Sequence, residues 1–198
     1  MKPIAIMAAL AVSALSISRT VAVPSDPYLI VPGQSIGKFA LGPHGTQVLK
    51  RVGKPTLIDA GMNQTRQVWL TMGRIPATVF IHTVNNSVIG AKPTAGITID
   101  TIRITSSKFH IRNGISTGAT LAEVRRRFPN VRLERDQKSA VIYSDSTRGI
   151  AFDFQLPGKN EPLGRCQGIQ VFSPNGGGPV SPDTISLLLD QYKEPSGR

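Results

Sequence analysis

The amino-acid sequence predicts an α+β protein made of two tandem units, each a short helix followed by a three-stranded antiparallel meander, with a further helix near the C-terminus. Three observations predict it. Residues 39–52 and 115–128 match without gaps at an offset of 76. Beyond each of these stretches the apolar pattern changes from a helical period to a period of two. A last helical pattern, from Pro182 onward, follows a glycine- and proline-rich stretch at 173–180.

The chain opens with Lys2, an apolar run from Ile4 to Ile17, and then Thr20 and Ala22 as small residues at −3 and −1 of a cleavage site. The run is about fourteen residues, short of the roughly 20 that a spanning helix needs. Charge, apolar stretch and small-residue site in that order predict a secretory signal over 1–22. The expected product is exported, periplasmic or extracellular, with no transmembrane segment after cleavage. Its organisation is then a first unit over 23–106, a second over 107–173, and a linker, helix and tail over 174–198.

Within the repeat, Phe39 matches Ile115, Gly42 matches Gly118, Val48 matches Val124, and Val52 matches Phe128. In the second copy Thr120 and Glu123 have capping-box spacing, and Leu121, Val124 and Phe128 form one apolar stripe. The first copy has His44 and Gly45 where that cap stands, but keeps the stripe of Val48, Leu49 and Val52. Gly53 and Pro55 supply its stop signals.

Alternating β-branched and aromatic residues predict strands at 67–70, 77–82 and 97–105, and again at 140–143, 149–154 and 168–172. Turns are expected at 73–76, 85–87 and 156–160. Ser181, Pro182 and Asp183 open the last helix with a cap, a first-turn proline and an acid at the positive end of the dipole. Its apolar face of Ile185, Leu188, Leu189 and Tyr192 is expected to dock on a sheet, and the tail 194–198 to be disordered.

Gly42, Val48, Gly53, Pro55 and Trp69, with Gly118 and Val124 in the second copy, carry a resemblance to a known superfamily. The doubled unit resembles the tandem α/β repeats of the β-lactamase inhibitor proteins, and is similar to the small lipoprotein of the bacterial outer-membrane β-barrel assembly machinery. The likeness covers most of 31–172 and consists of turn and core positions. It implies an architecture and a role in binding other proteins at the cell envelope through a sheet face and loops. It transfers no binding residues. The single cysteine, Cys166, also departs from the disulfides of the inhibitors and from the lipidated N-terminal cysteine of the assembly protein.

The formal charge of the whole chain is +11. Without Lys2 and Arg19 it is about +9, which favours an anionic polymer or an acidic protein face as partner. No aromatic-interleaved basic motif points to nucleic acid. One cysteine forms no internal disulfide, so the fold rests on its core.

Catalytic chemistry finds little purchase. A nucleophile needs a base within hydrogen-bond reach, and His44, His82 and His110 are dispersed. Each reads as structural or exposed, and Cys166 as a buried or half-buried thiol. No serine elbow and no metal-ligand spacing stand out. Asp153, between Phe152 and Phe154, reads as solvent-facing, and Trp69 as core between sheet and helix. The glycine run 176–178 reads as linker, and the sequons at Asn63 and Asn85 matter only in a glycosylating host. The expectation is therefore a non-enzymatic binding protein without catalytic, cofactor or metal residues, in contact with another envelope or secreted protein or an anionic polymer. An inhibitor of a secreted hydrolase, inserting a loop such as 84–96, and a cell-surface hydrolase using Cys166 or a histidine are the alternatives.

Overall fold

A computed structural model describes residues 26–71, 77–85, 96–136, 140–156, 163–174 and 177–193. The expected signal, the tail, and most of the turns at 73–76, 85–87 and 156–160 lie outside these residues, as does most of the loop 84–96. The fold is α+β, with two sheets and, among the described residues, three α-helices. No described helix is long and apolar enough to cross a membrane.

Three short strands come first: β1 (Leu29–Val31), β2 (Ser35–Ile36) and β3 (Phe39–Ala40). With β8 (His110–Ile111) they form a small sheet in the order β3-β2-β1-β8, in which β1 and β8 run parallel. Helix α1 (Thr46–Val52) precedes β4 (Leu57–Gly61), β5 (Gln64–Thr71), β6 (Ala77–Asn85) and β7 (Ile97–Ile104). Helix α2 (Leu121–Arg127) precedes β9 (Arg132–Asp136), β10 (Ala140–Asp145), β11 (Ile150–Gln155) and β12 (Cys166–Phe172). These eight strands make one sheet, β4-β5-β6-β7-β12-β11-β10-β9, in which β7 and β12 pair antiparallel at the centre.

Each meander thus has four strands where the sequence predicts three. The missing ones, β4 and β9, are the two outer strands. Their sequences, Leu-Ile-Asp-Ala-Gly and Arg-Leu-Glu-Arg-Asp, lack apolar alternation because they hold their place by backbone bonds to one neighbour more than by burial.

The matched glycines do the same job. Gly42 has φ 87° and donates its N–H to Ile99 O of β7 at 2.7 Å. Gly118 has φ 93° and donates to Cys166 O of β12 at 2.7 Å. A side chain is strained at such angles, which is why glycine stands at both turns. The predicted capping box is present: Thr120 Oγ1 accepts from the Glu123 N–H at 3.2 Å, and Glu123 Oε2 accepts from the Thr120 N–H at 2.8 Å. At α1 no side chain caps the first turn.

The main core lies on the face of the large sheet that carries α1, α2 and the small sheet. Ile81, Ile102, Ile104, Phe152, Phe154, Ile169 and Val171 are buried there together with Val124 and Phe128. Trp69 packs half-buried against this core, and its Nε1–H donates to Gly53 O at the end of α1. The opposite face receives α3 (Pro182–Lys193), whose buried Ile185 and half-buried Leu188 and Leu189 cover Val68 and Phe80. Ser181 Oγ accepts from the Asp183 N–H at the start of α3.

Candidate functional site

The residues singled out as chemical candidates do not converge. Cys166 is buried, and its thiol donates to Gly168 O at 3.2 Å. Burial, and then the Asp153 carboxylate, pushes the thiol far above its ordinary range, so it is a poor nucleophile. His82 lies inside β6, with Nδ1 2.7 Å from Asp100 Oδ1 and Nε2 3.2 Å from Gln64 Oε1. The irregularity between His82 and Thr83 leaves Asp100 as the extra residue of β7 facing that ring. His110 Nε2 is 3.2 Å from Asp26 Oδ2, and His44 sits in the 3₁₀ turn Pro43–Gly45. Among the described residues, no hydrogen bond joins a histidine to Cys166 or to a hydroxyl. No described trio of histidine, cysteine or carboxylate is placed to hold a metal ion.

Asp153 overturns its reading as a solvent-facing residue. Its side chain is 1% exposed, on the face away from the phenylalanines, and is covered there in the folded protein. Asp153 stands opposite Gly168 on β12, and Arg103 on β7 stands opposite Gln170. The Arg103 side chain crosses the bare Cα of Gly168 to place Nε 2.5 Å from Asp153 Oδ2. Gln170 Nε2 donates to Asp153 Oδ1 at 2.7 Å. Burial raises the Asp153 carboxyl, while Arg103 and then Gln170 draw it back toward the ionised form.

The same glutamine anchors the C-terminal segment. Gln170 Nε2 also donates to Val180 O, and its Oε1 accepts from the Val180 N–H at 2.8 Å. Thr101 Oγ1 donates to Gly178 O at 3.1 Å. A polar row on the far face therefore fixes the strap that leads into α3. Between α3, the ends of β6, β7 and β12, and the segment 105–108 lies an open cleft of about 820 Å³, walled by Arg103, Lys108, Cys166, Ile185 and Leu189.

A second feature sits at the outer end of the first meander. β4 and β5 are joined by a two-residue turn, Met62 and Asn63, between the paired Gly61 and Gln64. Both turn residues have positive φ, 46° and 62°, the pattern of a type I′ turn, which favours asparagine and glycine. Met62 is 95% exposed, and Ile58, four positions earlier on β4, is 66% exposed. Ile97, 54% exposed, borders the same shallow hollow as Gly61, Met62 and Gln64. β4 has β5 on one side and no described strand on the other.

Sequence reasoning passed over both features. Arg103 was one basic residue among 23, and nothing local links it to a partner 50 positions away. For the hairpin the available signal was the dipeptide Met62-Asn63 between two short alternating runs, a weak variant of the usual turn chemistry. Comparison with protein-family models, with curated proteins and with solved structures finds no match to this chain.

Proposed function

We propose that the chain is an exported, non-enzymatic binding protein, periplasmic or extracellular, that grips a partner protein by the β4 edge and the Met62 hairpin. In this reading residues 31–172 are two copies of one helix-plus-meander unit, and the outer end of the first copy is the contact surface. The carrying observation is Met62, a long apolar side chain held in a left-handed conformation at an almost fully exposed hairpin tip. Such a conformation is strained for methionine, and strain retained where no core contact requires it marks a functional position. Ile97 borders the same hollow, Ile58 is exposed farther along β4, and methionine suits adaptable protein contacts.

The partner's segment would be extended. A strand adding to β4 gains main-chain bonds along an edge, while Ile58 and Met62 supply the side-chain contacts. A secreted hydrolase blocked by the hairpin is one form such a partner could take, in keeping with the resemblance to the inhibitor superfamily. The positive charge of the chain favours acidic partners.

The test is site-specific photocrosslinking in an envelope or secreted fraction of the source cells. A crosslinker at position 62 should give one discrete adduct that survives high salt, and one at position 133, on the opposite outer strand, should not. Equal, salt-sensitive labelling at both positions would sink the proposal.

A further inference from the structure

The cleft beside α3 carries a second, independent reading. Arg103 lines it, although its side chain is only 8% exposed. Among the described residues, the one side-chain hydrogen bond made by Arg103 runs from Nε to Asp153. Its two terminal nitrogens make none, and neither is among the buried polar atoms sealed away without a partner. A guanidinium that is nine-tenths buried, clamped on one edge and open on the other toward a cavity, is a prearranged donor pair for an oxyanion.

The rest of the wall sorts by chemistry. Lys108 adds a second positive charge at the exposed rim. Thr105, Ser106 and Ser186 contribute hydroxyls, and the first is held in place because its Oγ1 accepts from the Thr78 N–H at 2.8 Å. Across from these, Ile185 and Leu189 present the apolar side of α3. The geometry points to a site for an amphiphilic oxyanion, a carboxylate or phosphate ester with a short aliphatic tail. Its head would lie on Arg103 and Lys108, and its tail along α3. Asp153 sets a limit on the head: it neutralises Arg103 overall, so recognition comes from the free N–H donors, aided by Lys108, more than from net charge. This reading does not depend on the β4 edge.

Titration calorimetry on the purified chain tests it with octanoate and octyl phosphate, using inorganic phosphate as the head alone and a neutral octyl glucoside as the tail alone. One of the first two should bind with one saturable equivalent, and which of them binds tighter identifies the head. The head alone should bind at least about tenfold more weakly, since each buried methylene contributes roughly 0.8 kcal/mol, about fourfold. Lys108→Ala should weaken binding about two- to fivefold at low salt, the range of an exposed ion pair. Ser186→Trp, which fills the cleft from an exposed helix position, should abolish binding while the circular dichroism and melting temperature stay unchanged. Arg103→Lys should also lose binding, and is read only if its melting curve remains cooperative. Absence of saturable binding for both amphiphiles into the millimolar range overturns the assignment. So does equal binding of the neutral glucoside, or binding that survives Ser186→Trp.

Discussion

Replacing Met62 by asparagine should stabilise the protein while removing its partner contact. The left-handed region costs an ordinary L-residue roughly 1–2 kcal/mol, and asparagine recovers part of that through local hydrogen bonding. With Met62 95% exposed, the substitution gives up almost no buried apolar surface, so the conformational gain stands nearly unopposed. The expected net is about 0.5–1 kcal/mol of added stability. For a chain of this size that is a rise in melting temperature of about 1–4 °C. Urea unfolding should show a higher midpoint with an unchanged slope, because the surface exposed on unfolding is the same. The crosslinked adduct, or any affinity measured with the captured partner, should fall by about fivefold or more, as for truncation of an interface anchor. A lower midpoint would refute the claim of strain. A higher midpoint with full partner capture would refute the claim that the strain is retained for binding.

Gly168→Ala puts a Cβ within 2.6 Å of Arg103 Nη2 and 2.7 Å of Asp153 Oδ2, so the buried pair must part or shift. A loss of about 3 kcal/mol in urea unfolding is expected, against almost none for Gly61→Ala, where the added carbon meets nothing within 4 Å. The capping box predicts a pH effect. The Thr120 backbone and hydroxyl hold the Glu123 carboxyl below its ordinary value, so its stabilisation is present above the unfolded value and is lost as pH falls through the lower folded one. Melting temperatures measured from pH 6 downward should therefore fall less steeply for Thr120→Ala than for the parent chain. Cys166, buried with a raised pKa, should resist a thiol reagent in the native protein and react fully in denaturant. Ala60→Lys adds a charge to the exposed β4 edge and should abolish partner capture with little change in stability.

What could be read in advance follows the range of the interaction responsible. The Thr120–Glu123 box and the Ser181 start of α3 are settled within four residues, and both stand where the sequence places them. The six inner strands were legible because each turns an apolar face to the main core, which writes alternation into the chain. β4 packs on the core through Leu57 and residues 132–134 of β9 are exposed, so neither strand writes an alternating apolar pattern into the chain. Asp153 failed for a different reason. Alternation correctly put it on the face away from Phe152 and Phe154, but whether that face is wet is decided elsewhere. Gln170 joins Asp153 to the strap at Val180, and Arg103 reaches it across Gly168, contacts spanning many positions. The hairpin is not legible because Met62-Asn63 does not look like a tight turn until its dihedral angles are known.

The two ends of the large sheet are treated differently, and that asymmetry gives the binding proposal its direction. At the β9 end the edge carries Arg132, Glu134, Arg135 and Asp136 in five residues, and a shift in register with β10 falls between Ile142 and Tyr143. Clustered charge and a local irregularity are the usual means of keeping a sheet from pairing with stray strands. Glu134 is further fastened, its Oε2 accepting from Ser144 Oγ at 2.7 Å. At the β4 end the register with β5 runs unbroken from Leu57–Val68 to Gly61–Gln64. The one charge on that strand, Asp59, is met by Arg66 of β5 at 2.9 Å. Helix α3 packs behind this edge through the cluster that includes Leu57, Val68 and Ile185, so β4 is supported from one side and has no described strand along its rim. An edge held in shape before contact loses little conformational entropy when a partner strand joins it. Under the binding proposal, a partner strand joins the β4 end, which is regular and backed by a helix, and not the β9 end, where charge is clustered and the register shifts.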